Sequence, residues 1–135
     1  MYKCILFLGL GGAGQRHLRI LKEALPSTKM IGVRKTGKTP VLNSDFTVKE
    51  GASLELEYGI TFFSGIDEAY IQEPDLVVIA NNNKRYGDLD LDTLFASMSN
   101  DGIVYDFWNV IPARGVSSFT SIRYLSLGNL GIKGD

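Results

Sequence analysis

The chain has 135 residues, 14 of them Lys or Arg and 15 Asp or Glu, for a formal net charge of −1. That length suits one domain with a single hydrophobic core and is short for a two-domain enzyme. Near-neutral charge argues against a nucleic-acid binder built on a general basic field, and no apolar run approaches the roughly 20 residues of a membrane-spanning helix.

The N-terminus carries Lys3 but no long apolar region with a cleavage site, so it does not read as a signal peptide, and a cytoplasmic home is expected. Cys4 is the sole cysteine, which excludes an internal disulfide and a Cys-based zinc site. It falls inside "KCILFLG" (3–9), a run apolar on both faces, where burial as a small hydrophobe is expected rather than reactivity. A helical pattern follows from Gly12 to Leu25, with Leu18, Leu21 and Leu25 on one face and Pro26 and Ser27 as the stop. "KMIGV" (29–33) reads as the second strand. The stretch from Thr36 to Tyr58 is less regular, with turn residues at "TGKTP" and "LNSD", a short strand candidate at "FTV" and a helical turn near "SLELEY". "GITFF" (59–63) is a third strand. Ser64, three residues before Asp67, gives "SGIDEAYIQ" a capping-box-like helix start.

"LVVIA" (76–80) is a second fully apolar strand. In "DLDLDTLFASMSN" (88–100), Leu91, Leu94, Phe95 and Met98 fall at helical spacing. Asp88, Asp90, Asp92 and Asp101 cluster around that helix; capping and dipole complementation suit the acids at its start better than metal binding. "DGIVYDF" (101–107) and "SIRYLSL" (121–127) supply the last strands. Strands separated by helices predict right-handed crossovers and a doubly wound, mostly parallel sheet. That is a Rossmann-like three-layer α/β/α domain spanning 1–135.

The motif that carries chemistry is "GLGGAGQRHL" (9–18), where Gly9, Gly11 and Gly14 stand in G-x-G-x-x-G spacing between strand and helix. In that context Gly9 permits the tight turn, Gly11 lets backbone approach a diphosphate, and Gly14 lets the helix pack on the strand. The free amides of Gly12 and Ala13 and the positive end of the helix dipole then face the phosphates. A glycine-rich turn that binds nothing is the alternative. Twenty residues beyond Gly14 stands Arg34, followed by Lys35, where NAD-preferring folds place an acid. Arginine pairs with a 2′-phosphate and stacks on adenine, so NADP is expected ahead of NAD, with Lys35, Thr36 and Lys38 as further donors. A solvated basic loop is the plainer account. Asn81, Asn82 and Asn83 follow the fourth strand at the same rim, as cofactor contacts or as turn formers. Asp106 ends a strand at that rim beside Trp108 and Asn109, placed to meet a sugar or to bond a turn.

"GLGGAGQRHLRIL", "MIGVRKTG" and "YGITFFSGIDEAYIQEPDLVVIA" resemble the N-terminal domain of the glucose–fructose oxidoreductase/inositol dehydrogenase/rhizopine catabolism (Gfo/Idh/MocA) family over residues 1–80, including Gln15-Arg16-His17-Leu18. The resemblance implies a nicotinamide dinucleotide cofactor held by Gly9, Gly11, Gly14 and Arg34. His17 belongs to the same pattern, with an imidazole bonded to a neighbour as the expected role rather than catalysis. Beyond residue 80 the likeness ends: the Glu-Lys-Pro motif with that family's catalytic lysine does not occur. "PDLVVIANNNKRYGDLDLDTLFASM", "GIVYDFWN" and "YLSLG" (74–128) are instead similar, more loosely, to the C-terminal nucleotide-binding domain of UDP-glucose/GDP-mannose dehydrogenases, which implies a nucleotide-sugar partner. A mosaic, a truncated chain or a recombination of two related folds would each give this arrangement. Three functions stay open: an NAD(P)-binding oxidoreductase domain without turnover by itself, a nucleotide-sugar module, and a scaffold without a ligand. The apolar C-terminal stretch with Phe119, Ile122, Tyr124, Leu125, Leu127, Leu130 and Ile132 predicts self-association if a partner normally covers it.

Overall fold

The structure is a computed structural model that describes residues 2–34, 40–80, 91–98, 102–107 and 123–126, with only the backbone of 91, 92, 95, 123, 124 and 126. In chain order its elements are β1 (Cys4–Leu8), α1 (Gly12–Ala24), β2 (Lys29–Val33), α2 (Leu54–Tyr58), β3 (Thr61–Phe63), α3 (Ile66–Tyr70), β4 (Leu76–Ile79), α4 (Leu91–Ser97), β5 (Ile103–Asp106) and β6 (Arg123–Ser126). The six strands form one sheet in the order β3-β2-β1-β4-β5-β6, and every neighbouring pair is parallel. Ile5 stands opposite Met30 of β2 on one side and Leu76 of β4 on the other, so β1 is central.

Burial follows from that centrality. All five residues of β1 and all four of β4 are buried, because parallel strands in mid-sheet have helices over both faces. Alternation along β1 sends Cys4, Leu6 and Leu8 into a core with Ala69 and Tyr70 of α3 and Leu94 of α4. Ile5 and Phe7 enter the opposite core with Leu18 of α1 and Leu54 of α2. Each such large side chain, fully withdrawn from water, contributes roughly 1.5–3 kcal/mol. Two cores around one sheet make the expected three-layer α/β/α arrangement, and the sheet is wholly rather than mostly parallel.

Local signals act as their chemistry predicts with three adjustments. α1 ends at Ala24, where Leu25 caps by donating its amide to the Leu21 carbonyl and Pro26 prevents continuation. The helical turn near "SLELEY" is α2: Ser53 accepts from the Leu56 amide, and Gly59 at φ +68° closes the C-terminus in the left-handed conformation that glycine tolerates. The "FTV" strand is reduced to a bridge, Leu42 to Val48, antiparallel. The Ser64 cap is corrected. Gly65 occupies the N-cap of α3 without a side-chain bond, and Ser64 instead donates to the Glu68 carboxylate at 3.0 Å. The serine stands one position too early to cap, so it reaches along the first turn. α4 begins within the expected helix, and Leu94 and Met98 are buried as its spacing requires; residues 88–90 and 99–100 lie outside the described residues.

Candidate functional site

The strand order places β1 and β4 side by side with their connections leaving in opposite directions, and ligands of doubly wound sheets bind at the carboxyl ends of strands at that switch point. The glycine-rich turn stands there. Gly9, at φ +99°, turns the chain out of β1 in a conformation that favours glycine. Gly11 is the extended N-cap of α1, and the Gln15 amide donates to its carbonyl at 2.9 Å. The amides of Gly12, Ala13 and Gly14 therefore precede the helical ladder, at the positive end of a 13-residue helix.

Three glycines have three different surroundings. A β-carbon at Gly14 would stand 2.1 Å from the Gly9 carbonyl oxygen, so only glycine lets the helix lie this close to the turn. A β-carbon at Gly11 would meet nothing within 4 Å, which is the open approach a diphosphate needs. At Gly12 it would stand 2.7 Å from Cε1 of Phe46. The corner is thus open beside Gly11 and roofed by an aromatic ring at Gly12.

Phe46 arrives on a small hairpin within the irregular stretch of the sequence. Asn43 donates its amide to the Thr47 carbonyl and accepts from the Phe46 amide, while Lys49 donates to Val41. The Asp45 carboxylate accepts from both the amide and the hydroxyl of Thr47, and these bonds hold its pKa below the usual carboxylate range. Gln15 fastens the hairpin to the turn. Its Nε2 donates to the carbonyls of Leu10 (2.9 Å) and Pro40 (2.8 Å), and its Oε1 accepts from the Leu42 amide (2.8 Å). Gln15 is 2 % exposed, so these three bonds are what make its burial tolerable. Its place in the sequence motif gave no hint of this role, and neither Phe46 nor Glu55 carried a signal among the expected site residues.

Arg34 follows β2 at the same carboxyl edge. Its guanidinium lies 3.9 Å from the centroid of Phe62, and its Nη2 donates to Glu55 Oε2 at 2.9 Å. Arg34 stands at the tip of β2, and an acid from α2 engages it. Lys35 and Asn81, expected beside the cofactor, lie outside the described residues, as do Thr36, Lys38, Asn82, Asn83, Trp108 and Asn109.

His17 sits on α1 facing β5, edge-on to Tyr105 (5.0 Å separates it from Phe107, 5.6 Å from Tyr105). Burial, and then the neighbouring Arg16 charge, push its pKa below the ordinary imidazole value. It packs among aromatic rings, rather than in a hydrogen-bonded network like that of a catalytic base. The groove beside it, about 330 Å³, is apolar, with Ile20, Leu76, Ile103 and Leu125 in its walls. Leu125 is half-buried there; the rest of the apolar C-terminal stretch, apart from the Tyr124 backbone, lies outside the described residues. Asp106 is fully buried at the end of β5, opposite Ile79 and Ser126. Burial pushes the Cys4 thiol up, in keeping with its core position. Of the acidic cluster only the backbone of Asp92 is described. Among the described residues no three His, Cys, Asp or Glu side chains are grouped to hold a metal, and no helix is long and apolar enough to cross a membrane.

No family model matches the chain, and no curated protein does. Solved structures match its fold. Formate dehydrogenase from Granulicella m. has a TM-score of 0.63 at 14% identity, over 92% of this chain and 31% of that one. D-mandelate dehydrogenase from Rhodotorula graminis has a TM-score of 0.61 at 15% identity, over 92% and 34%. 3-Hydroxyisobutyrate dehydrogenase from Mycobacterium tuberculosis has a TM-score of 0.58 at 18% identity, over 93% and 40%. The chain therefore spans about a third of the length of these structures and shares the Rossmann-type fold with them.

Proposed function

We propose that this chain is the NAD(P)-binding domain of an oxidoreductase and that it takes NADP in preference to NAD. One observation carries the reading: the turn at the β1–β4 switch point is open where a β-carbon at Gly11 would project, while Gly14 has no room for one. This is the cradle that a diphosphate requires and that a purely structural βα turn does not. The names of the three solved structures reported above, each a dehydrogenase, support it, as does the likeness of residues 1–80 to the Gfo/Idh/MocA family. Arg34 supplies the cation for a 2′-phosphate, and Lys35 and Asn81 are proposed to flank the adenosine and nicotinamide ends.

The residues fit the group. The amides of Gly11, Gly12 and Ala13 would face the diphosphate, Gly9 and Gly14 would hold those amides in place, and Arg34 would meet the adenosine ribose. The dinucleotide, when bound, supplies hydride transfer; this chain binds and orients it. Turnover also requires a positioned substrate and an acid/base group, for which none of the described residues is assigned.

Calorimetric titration with NADPH and NADH tests the proposal. Saturable binding is expected, and Gly11→Ala, which no neighbour resists, is expected to weaken it about tenfold or more with unfolding stability altered by less than about 1 kcal/mol. Absence of binding to both dinucleotides rejects the reading. A response to UDP or a UDP-sugar without one to NADPH would transfer it to the nucleotide-sugar alternative, which rests on the sequence likeness of residues 74–128.

A further inference from the structure

Arg34 is held at three points. Its amide donates to the Phe63 carbonyl at 2.9 Å, one face of its guanidinium lies over Phe62, and Nη2 is bonded to Glu55. Glu55 stands 21 residues further along the chain, on α2, so the connection between β2 and β3 returns an acid to a strand tip whose own sequence has none. The two side chains are 20% and 45% exposed, so the pair is accessible to a ligand from solvent. A guanidinium binds phosphate best with its planar edge, through parallel N–H bonds. With Phe62 against one face, that edge is the available route, and Glu55 occupies part of it.

We infer that Glu55 sets the dinucleotide selectivity of this site, because its carboxylate occupies the Arg34 edge that a 2′-phosphate needs. The inference rests on the proposed function and deepens it. A 2′-phosphate must displace the carboxylate and then remain beside it, like charge against like charge. A free 2′-hydroxyl meets no such opposition, since a carboxylate accepts its hydrogen bond. Arg34 alone would favour NADP strongly; the Arg34–Glu55 pair narrows that preference toward NAD.

The test measures dissociation constants for NADPH, NADH and the fragment 2′,5′-ADP in the parent chain and in Glu55→Gln, Glu55→Ala, Arg34→Gln and the double variant Arg34→Gln/Glu55→Gln. Neutralising Glu55 is expected to tighten NADPH and 2′,5′-ADP by about three- to tenfold, as befits release of a part-exposed ion pair, with NADH unchanged in Glu55→Gln, which keeps an acceptor oxygen, and weakened in Glu55→Ala, which does not. Without Arg34 the gain is expected to shrink to the part that relief of like-charge repulsion supplies, well below the gain in the parent background. Glu57→Gln, which removes the neighbouring Lys49 pair, is expected to leave the NADPH to NADH ratio where it was. An unchanged ratio in both Glu55 variants, or an equal gain in the Arg34→Gln background, overturns the inference while leaving the cofactor reading intact. Absence of a measurable constant for any dinucleotide in any variant overturns both.

Discussion

The ring of Phe46 lies across Gly12, so close that a β-carbon there would stand 2.7 Å from Cε1 and 2.9 Å from Cδ1. Phe46 takes a left-handed φ of +68° and leaves 60% of its surface exposed, an arrangement kept by the hairpin that Gln15 fastens rather than by burial of the ring. The turn it covers is the part of the proposed site that would face a diphosphate, a group shared by NADPH and NADH. Phe46→Ala is therefore expected to tighten both equally, by about two- to tenfold, because the ring no longer competes for the corner. Calorimetry with each dinucleotide checks this, and the equal effect separates it from the selective effect at Glu55. Stability is expected to move by less than about 1 kcal/mol, since most of the ring is in water.

Gly14 and Gly11 differ by three positions and by the whole energetic consequence of an added methyl. Gly14→Ala sets a carbon 2.1 Å from a backbone oxygen that no rotamer can move, so helix and turn must separate. A loss of about 3 kcal/mol or more is expected, read as a lower urea midpoint with unchanged slope, or as failure to accumulate folded protein. The same substitution at Gly11 meets open space and serves as the control.

Gln15→Leu roughly keeps the side-chain volume and removes both the donor and the acceptor of the amide. The buried Leu10 carbonyl and the part-buried Pro40 carbonyl and Leu42 amide then lose this partner. A cost of about 2–4 kcal/mol is expected in chemical denaturation. Hydrogen exchange at the Leu42 amide is expected to accelerate more than exchange in β1, since the hairpin is released before the sheet opens.

His17 titrates below its ordinary value because burial disfavours the imidazolium. The unfolded chain, with a pKa of about 6.5, then binds the proton more readily than the folded one. Stability from this residue is complete above about pH 6.5 and declines as the pH falls through that value toward the depressed folded pKa. Unfolding midpoints measured between neutral and mildly acidic pH are expected to fall less steeply in His17→Phe, which keeps the packing against Tyr105 and Phe107 and cannot ionise.

Much of the architecture is written in short stretches. "CILFL" and "LVVIA" are apolar at every position because both faces of a mid-sheet strand are covered, and the glycine spacing before α1 marks a turn whose geometry depends on neighbours within five residues. The position of Arg34 at the tip of β2 follows from counting. The Ser64 reading failed by a single position, because capping depends on which residue the backbone leaves extended, and that is Gly65.

What lies against those elements is another matter. Neither the roof at Gly12, nor the latch at Gln15, nor the acid beside Arg34 is visible in composition or periodicity. Each is a meeting of a side chain with a distant group, brought together by an irregular connection across 21 to 34 residues of chain. Local sequence determines strands, helix and glycine turn, since hydrophobic alternation and backbone sterics act over a few residues. Only the tertiary path of the β2–β3 connection decides whether the glycine turn is roofed and whether Arg34 is engaged, because those depend on distances between segments that share no local pattern.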